Sequence, residues 1–392
     1  MPSSRRQFLR DSSLLAGLAS HAGAQADDGA GSIRAGWPAD ESSLFFSELL
    51  PGAGFSFTYR ETTIGPSFRA EWKVSSESSP GGARVVFRHE TGLVVTREAV
   101  FYPEYEAIEY TVRFRNESGY ELPALADLNA IDLSFGAKSV EGLSVVSSSG
   151  GMVDSLYPPD VFAIRRRYFA PMTPVSGQVL LTTIGGRSSD KDMPFFFLES
   201  AAHKEGMFVA VGWSGQWIIR IVADLRRNLL QVRGGMAGIH IQVAPGEEIS
   251  GPRILMGCYR GPLANGSNRL RRLIRERYTP LLGCNKPQPP VTYDPWWNIG
   301  LKFDEPLLRQ LADRAAFLEQ EYFLLEAGWY AGTKPDDFGA GLGNWDQPDQ
   351  AKFPNGMEGF AKYVATKGLG FGLFLEPERV ARGSHLALAA RG

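Results

Sequence analysis

The chain has 392 residues, which is enough for roughly two to three domains with large buried cores. Its 41 basic and 43 acidic side chains leave a formal net charge of -2, so the composition argues against a nucleic-acid or anionic-membrane partner. Two cysteines exclude a four-thiolate zinc site, and the five histidines show no metal-ligand spacing, so we expect no metal and no cofactor.

The first 26 residues have the features of a twin-arginine export signal. Two adjacent arginines, Arg5 and Arg6, precede a weakly apolar stretch that is too short to span a bilayer. Small residues then offer cleavage sites after Ala24 and after Ala26, of which we favour Ala26. We therefore predict a signal peptide over residues 1–26, a periplasmic or secreted protein, and no membrane segment after cleavage. The alternative is an amphipathic N-terminal helix that begins with two arginines.

Short β-branched and aromatic runs, separated by Gly, Ser, Pro and Asn clusters, continue to about Gly257. The clearest run, Ile108 to Arg115, alternates four apolar with four polar side chains, which predicts one buried and one polar face. The other predicted strands are Phe55 to Arg60, Arg69 to Val74, Arg84 to His89, Leu93 to Val100, Val179 to Ile184, Met207 to Val211, Trp217 to Val222 and Ile239 to Val243. We assign residues 33–260 to an all-β sandwich domain.

A helix and a proline-rich linker follow the strands, over residues 261–294. Leu270, Ile274 and Leu281 recur among charged side chains from Asn268 to Leu282, which is a helical pattern. A cluster of prolines in residues 286–290 then marks a domain boundary.

The C-terminal quarter of the chain alternates strands and helices. An apolar run at Trp296 to Asn298 leads into an amphipathic helix from about Asp304 to Gln320, and an apolar strand follows from Tyr322 to Leu325. A Gly- and Asp-rich loop, a helix from about Met357 to Lys367 and a strand from Gly370 to Leu375 complete the pattern. Strands that alternate with helices predict a parallel sheet covered on its outer face.

Four sequence blocks stand in order in this part of the chain: Leu325 to Tyr330, Gly343 to Trp345, Lys352 to Gly356 and Gly370 to Glu378. Together they resemble the start of the catalytic barrel of family-36 glycoside hydrolases, the melibiase-type α-galactosidases. Further upstream, Gly212 to Trp217 and the helix before the proline-rich linker resemble the N-terminal β-supersandwich and linker of that family.

The resemblance implies a multidomain β plus α/β protein, with an N-terminal β-supersandwich followed by a (β/α)8 barrel that begins at residue 295. It also implies retaining hydrolysis of terminal α-galactosides, so the expected partner is an α-galactoside oligosaccharide or polysaccharide. Because family-36 enzymes are often oligomeric, a homo-oligomer is a further option.

Five side chains are predicted to contact the substrate. Glu326 and Phe374 stand at the carboxyl ends of predicted strands, where a parallel barrel places its active site. Carboxylates accept paired hydrogen bonds from sugar hydroxyls, and aromatic rings pack against sugar C–H faces. Glu376 shares a strand face with Phe374, and the resemblance adds Trp329 and Trp345 to the set.

Two departures from the family pattern alter the expected sugar pocket. The second strand of the family commonly ends in two aspartates, and here it ends in Glu326 and Ala327. The third strand commonly offers a tryptophan, and here Phe374 stands at that position. Since Glu is one methylene longer than Asp and Ala accepts no hydrogen bond, we expect recognition of the axial O4 and of O6 to be weakened or reassigned.

The catalytic carboxylates of the family are not expected in this sequence. A complete (β/α)8 barrel takes about 250 residues, so the 98 residues of segment 295–392 hold three strands. In the family, the nucleophilic aspartate lies in a Lys-x-Asp-x-Asn segment after the fourth strand, and the acid/base aspartate follows the sixth. We therefore predict an incomplete (β/α)8 barrel, with the catalytic residues beyond Gly392 and none in this chain.

Several of the predicted site residues also have structural interpretations. Glu326 could pair with a neighbouring Lys or Arg at the barrel mouth, and Trp329 and Trp345 could be packing residues. Retaining hydrolysis needs two carboxyls about 5 to 5.5 Å apart. Glu376 and Glu378 are an alternative catalytic pair, although the family pattern favours a wall role for both.

The sequence thus predicts an exported hydrolase of the α-galactosidase type, truncated before its catalytic carboxylates. The alternative, from a different class, is a non-catalytic or vestigial carbohydrate-binding protein. Cys258 and Cys284 could form a disulfide in an oxidising compartment, but two buried thiols are the commoner arrangement.

Overall fold

The structure is a computed structural model that describes residues 54–65, 71–79, 81–136, 142–151, 163–169, 177–184, 187–224, 227–377 and 379–389. The predicted signal peptide, residues 1–26, lies outside the described residues. The chain divides into two compact units, Met1–Thr279 and Pro280–Gly392, and the division falls inside the predicted linker. Within the described ranges, every helix is too short or too polar to span a bilayer.

Antiparallel strands make up most of the first unit. In chain order they are β1 Ser56–Tyr59, β2 Thr62–Ile64, β3 Trp72–Ser79, β4 Gly82–His89, β5 Leu93–Tyr102, β6 Ala107–Asn116, β7 Leu125–Asn129, β8 Ile131–Gly136, β9 Leu143–Ser149, β10 Ile164–Tyr168, β11 Gly177–Thr182, β12 Asp192–Ser200, β13 Glu205–Gly212, β14 Trp217–Asp224, β15 Leu229–Met236, β16 His240–Ile241, β17 Glu248–Ser250 and β18 Arg253–Arg260. One large sheet has the order β10-β9-β12-β13-β18-β6-β5-β4-β3, with β17 paired to β6. Two smaller sheets have the orders β11-β14-β15-β8 and β16-β7-β1-β2.

A continuous hydrophobic core draws on the large sheet and on both smaller ones. Strand β6 illustrates it, since four apolar side chains alternate with polar ones and are at most 2% exposed, which confirms the predicted pattern. They are Ile108, Tyr110, Val112 and Phe114. Phe114 meets Phe57 of a smaller sheet edge to face, with ring centroids 5.1 Å apart. Burying each such ring stabilises the fold by about 1.5–3 kcal/mol, so packing the sheets face to face is favourable for this sequence.

The outer face of the large sheet is covered by a helix. Helix α1, Leu263–Leu273, packs there, with Leu270 buried against Phe208 and Tyr259 of strands β13 and β18. Gly266 permits the close approach, because a Cβ atom at that position would lie 2.4 Å from the Tyr259 ring. Strands beneath the helix are buried on both faces, so they lack the period-two pattern by which strands are found in a sequence. Strands β12 and β18 went unpredicted, whereas β13, which also lies beneath the helix, was predicted from its short apolar run.

The predicted helix from Asn268 to Leu282 is wrong in its bounds. Helix α1 begins after Pro262, and one wider turn, Ile274–Tyr278, follows its end. Proline near the start of a helix is well tolerated because its missing N–H is not needed there. Pro280 restricts the residue before it to extended backbone, which ends the helical turns.

The second unit combines parallel strands with helices. Its elements are β19 Thr292–Tyr293, α2 Trp296–Ile299, α3 Glu305–Phe317, β20 Tyr322–Leu325, a 3₁₀ turn Phe338–Gly341, α4 Gly356–Thr366, β21 Gly370–Leu373 and α5 His385–Ala389. The strand order is β19-β20-β21, and both pairings are parallel. The parallel sheet, its second and third strands and the two longer helices are confirmed to within a few residues.

The first strand of this sheet lies earlier than predicted. The apolar run Trp296 to Asn298 forms a helical turn, and the strand is β19. Pro295 has no N–H for a strand ladder, and the Asp294 carboxylate accepts a hydrogen bond from the Trp296 N–H at 2.9 Å. Both features end the strand and start the turn.

Helices α3 and α4 pack on the parallel sheet and cover its apolar side chains. Asp304 caps α3 by accepting a hydrogen bond from the Leu307 N–H at 2.9 Å. Leu308, one residue further on, is completely buried in the same core as Phe323 of β20. Phe360 of α4 meets Phe323 edge to face at 5.8 Å between ring centroids. The sheet is therefore fixed by the helices that follow its first two strands.

The cysteines allow a direct test of the sandwich core. Both are free thiols, and Cys258 is buried whereas Cys284 is exposed, so neither the disulfide nor the pair of buried thiols is found. Burial raises the pKa of the Cys258 thiol well above its ordinary value. We expect one thiol per chain to react with Ellman's reagent in the native protein and a second only in guanidinium chloride. The variant Cys284→Ser should show no native reaction, and a rapid reaction of both thiols in the native protein would contradict the buried position of Cys258.

Candidate functional site

Three carboxylates follow the three parallel strands of the second unit. Asp294 follows β19, Glu326 follows β20, and Glu376 lies three residues beyond the end of β21. Because parallel strands have their carboxyl ends at the same edge of a sheet, these side chains lie at one edge. Burial raises the pKa of Glu326, and the negative charges of Asp294 and then Glu376 raise it further. A hydrogen bond from the Ala327 N–H, at 3.3 Å, opposes the shift.

Glu376 is held by an ion pair. The Arg379 guanidinium donates from Nη2 to Oε2 at 2.7 Å and from Nε to Oε1, so both carboxylate oxygens are engaged. The Glu376 side chain is only 16% exposed. Arg379 also lies over the Phe338 ring, 5.4 Å from its centroid. Glu378, the other member of the alternative catalytic pair, lies outside the described residues.

Aromatic rings stand beside the carboxylates. Trp345 lies 6.2 Å from Trp329, 4.8 Å from Tyr330 and 6.4 Å from Phe374, measured between ring centroids. Trp345 and Phe374 are partly exposed. Trp329 is 2% exposed, and its indole N–H donates to the Phe374 carbonyl at 3.0 Å. In this arrangement Trp329 supports the wall of the site and Trp345 and Phe374 form its surface.

The structure thus brings together all five residues that the sequence predicted for substrate contact. It adds two that sequence reasoning missed, Asp294 and the partly exposed Trp296, whose ring meets Phe338 edge to face at 5.8 Å. The available signal was that Asp294 follows an apolar strand just as Glu326 does. It was overlooked because the strand was placed at the tryptophans.

The chemistry of this edge suits a neutral polyol. Carboxylate oxygens accept paired hydrogen bonds from neighbouring hydroxyl groups, and aromatic faces pack against C–H groups. Among the described residues, no group of three or more His, Cys, Asp or Glu side chains is placed to hold a metal ion. Ala327 is 2% exposed and offers a methyl group where a second carboxylate beside Glu326 would accept further hydrogen bonds.

The sequence of the chain is similar to a family of known proteins. Residues 249–390 match the family model described as Melibiase. The chain is 32% identical to alpha-galactosidase 1 of Pediococcus pentosaceus over 209 residues, which are 52% of this chain and 28% of that protein. It is 27% identical to alpha-galactosidase AgaA of Geobacillus stearothermophilus over 302 residues, 75% of this chain and 38% of AgaA. The chain therefore spans well under half the length of these relatives.

Solved structures agree on the fold. The GH36 alpha-galactosidase AgaA of Geobacillus stearothermophilus superposes with a TM-score of 0.70 at 22% identity, over 86% of this chain and 48% of that one. The alpha-galactosidase of Lactobacillus brevis gives a TM-score of 0.67 at 19% identity, over 86% of this chain and 46% of that one. The fold class is thus an N-terminal β-supersandwich followed by strands and helices of a (β/α)8 barrel, as predicted.

These matches confirm the predicted resemblance to family-36 glycoside hydrolases. The matched family model is the melibiase type, and the relatives that the chain matches are named alpha-galactosidases.

The turn that follows β20 depends on a glycine. Gly328 has a φ of +92°, and a Cβ atom there would lie 2.3 Å from Cδ2 of Leu301. We expect Gly328→Ala to lower the free energy of unfolding by about 1–2 kcal/mol, because L-residues are strained at positive φ. The matched control is Gly359→Ala in helix α4, where the added methyl has only ordinary contacts. That control should be neutral or stabilising by up to about 1 kcal/mol in urea unfolding, and equal stability of the two variants would contradict the strained turn.

Proposed function

We propose that this chain carries the substrate-recognition part of an α-galactosidase-type glycoside hydrolase and that its second unit binds the terminal sugar of an α-galactoside. The observation that carries the proposal is the placement of Asp294, Glu326 and Glu376 at the carboxyl ends of three parallel strands, beside partly exposed aromatic rings. The Melibiase family model, which matches residues 249–390, and the chain's sequence similarity to alpha-galactosidases support it.

Each group has a distinct role in this proposal. Glu326, which is half-buried and near two other carboxylates, accepts hydrogen bonds from sugar hydroxyls. Asp294 is oriented by the Trp296 N–H through one oxygen and offers its other oxygen to the ligand. Phe374 and Trp345 pack against the C–H face of the ring. A hydrogen bond to a charged group contributes about 1.5–3 kcal/mol when it forms in a partly dry site.

The proposed substrates are α-galactosyl oligosaccharides. Structures of AgaA variants of Geobacillus stearothermophilus have been solved in complex with stachyose and with raffinose. Ala327 stands where family members commonly have a second aspartate, so we propose that this chain holds the sugar with fewer hydrogen bonds and discriminates less strongly at O4 and O6.

We assign the described carboxylates to binding and not to bond cleavage. A retaining glycosidase needs a free nucleophile and an acid/base residue about 5 to 5.5 Å apart. The Glu376 carboxylate is engaged through both oxygens by Arg379, which makes it a poor nucleophile. We place neither the nucleophile nor the acid/base residue among the described side chains.

If the described carboxylates only bind sugar, a non-catalytic carbohydrate-binding protein is the second candidate function. The observation that favours it is the same ion pair, which engages both oxygens of Glu376 and leaves that carboxylate able to contribute to binding but not to act as a nucleophile. Release of p-nitrophenol from its α-galactoside at rates well above a heat-inactivated control identifies the hydrolase. Sugar binding without any release identifies the binding protein.

Binding can be measured by titration calorimetry with raffinose. We expect Glu326→Gln to weaken the affinity by about tenfold or more at pH 7, because the amide loses the charge that strengthens its hydrogen bonds. Acid neutralises the Glu326 carboxylate and should therefore weaken binding by the unmodified protein. Because the pKa of Glu326 is raised, this loss of affinity should begin at a higher pH than it would for a glutamate with an ordinary pKa. The Gln variant should lack this acid limb.

The matched control is Glu358→Gln on helix α4, an exposed glutamate whose side chain pairs with Lys362. It makes the same chemical change away from the site and should leave raffinose affinity unchanged. If the unmodified protein binds neither raffinose nor melibiose, the proposed function is wrong.

We further propose that the protein is exported through its twin-arginine motif and acts in the periplasm or outside the cell. Twin-arginine signals are recognised by a receptor, so the two arginine side chains themselves matter more than the positive charge that they carry. We expect the double change Arg5→Lys and Arg6→Lys to retain the precursor in the cytoplasm, as measured by fractionation of bacterial cells. The control Arg10→Lys keeps the pair and should be exported normally; export of the double variant at the normal level would contradict the proposal.

A further inference from the structure

We infer that Lys352 is a positioning residue of the sugar site, which holds the turn that carries Glu326 and Trp329 through hydrogen bonds from its ammonium group. The inference rests on the proposed function, since it concerns the same site. Lys352 acts through the backbone between Glu326 and Trp329, so its role does not require a direct hydrogen bond to a predicted site side chain.

The ammonium group binds the turn directly. Lys352 Nζ donates to the Gly328 carbonyl at 2.8 Å and to the Leu301 carbonyl at 3.4 Å. It also lies 4.2 Å from the centroid of the Phe303 ring. Gly328 stands two residues after Glu326 and directly before Trp329, so a hydrogen bond to its carbonyl restrains the backbone of the turn that carries both side chains.

A second contact fixes the same turn from the lysine's own segment. The Asp349 N–H donates to the Trp329 carbonyl at 2.8 Å, and the Asp349 carbonyl accepts from the Lys352 and Phe353 N–H groups at 3.1 and 2.8 Å. Phe353 is fully buried, and its ring lies 6.3 Å from Phe303. The segment that presents the ammonium group is thus anchored in the core.

Lys352 keeps an ammonium group at a half-buried position, where burial disfavours the charged form. Burial lowers the pKa of Lys352 below its ordinary value of 10.5, and the Asp349 carboxylate partly opposes this. Glu305, whose N–H donates to the Lys352 carbonyl, has its own carboxylate paired with Arg309. Among the described residues Lys352 forms no ion pair. Its ammonium is therefore directed at neutral carbonyls and a ring, an arrangement suited to holding backbone and not to balancing charge.

A purely structural role makes a different prediction from a positioning role. An apolar side chain of similar length would fill the half-buried space and would avoid the cost of burying a charge. It would leave the Gly328 and Leu301 carbonyls without their donor, so the turn would lose its fixed orientation. Sugar affinity and the mobility of the turn distinguish the two roles.

The experiment uses the full chain with the variants Lys352→Met and Lys352→Arg, and with Lys362→Met as the matched control on the exposed surface of helix α4. Raffinose affinity is measured by calorimetry between pH 7 and pH 10.5. We expect Lys352→Met to bind about tenfold more weakly at pH 7 and Lys362→Met to bind normally. The arginine variant, which keeps its charge and its donors, should recover part of the loss.

The pH profile separates positioning from packing. In the unmodified protein the affinity should fall as the pH rises through the Lys352 pKa, because deprotonation removes the positive charge that strengthens both hydrogen bonds to the turn. The methionine variant has no such group and should show a flat, weaker profile over the same range. Equal affinity of the methionine variant and the unmodified protein at pH 7 would overturn the inference.

Hydrogen exchange gives a readout that does not depend on sugar. The Asp349 N–H and the Ala331 N–H, which donates to the Gln347 carbonyl at 2.7 Å, report on the turn. We expect both to exchange faster in Lys352→Met than in the unmodified protein or in Lys362→Met. If no protein binds raffinose but this difference is found, the proposed function fails and the positioning role of Lys352 stands. If the exchange rates are the same, the positioning role fails.

Discussion

The parallel pairing of strand β20 with a neighbour on each side is the constraint on which the candidate site depends. Its hydrogen bonds align Phe323 with Tyr293 of β19, and Leu325 with Leu373 of β21. Parallel direction places the carboxyl ends of all three strands at one edge, so groups that are far apart in the sequence lie together there. Helices α3 and α4 hold this pairing by burying the apolar side chains of the strands.

Grouping carboxylates at one edge has an electrostatic cost, and the surroundings of each group reduce it differently. Arg379 neutralises Glu376, and the Trp296 N–H donates to Asp294. Among the residues that the structure describes, the Glu326 carboxylate accepts a hydrogen bond only from the N–H of its neighbour Ala327, and its pKa is raised. The group with the least compensation is the one best able to accept new hydrogen bonds from a ligand, which connects the electrostatics of the edge to the proposed recognition of sugar hydroxyls.

The sandwich illustrates when a strand can be found by its pattern. Apolar and polar side chains alternate along strand β6 from Ile108 onward, because one face of the strand is turned towards the core and the other face is more polar. Strand β12 is sandwiched between the core and helix α1, so it shows a run of phenylalanines, Phe195 to Phe197, without alternation. Burial on both faces removes the period-two signal from such a strand, although β13, which is buried in the same way, was still found from its apolar run.

The sequence by itself determined the fold class, the second and third parallel strands and the strand-end positions of Glu326 and Phe374, because these depend on local periodicity and on short motifs. Tertiary structure decided the rest. Asp294 joins the site only through the pairing of β19 with β20. The buried Trp329 donates its indole N–H to the carbonyl of Phe374, just after β21, and the Lys352 ammonium reaches a turn 24 residues earlier. These contacts are set by distances between segments, which the pattern of residues along one segment does not contain.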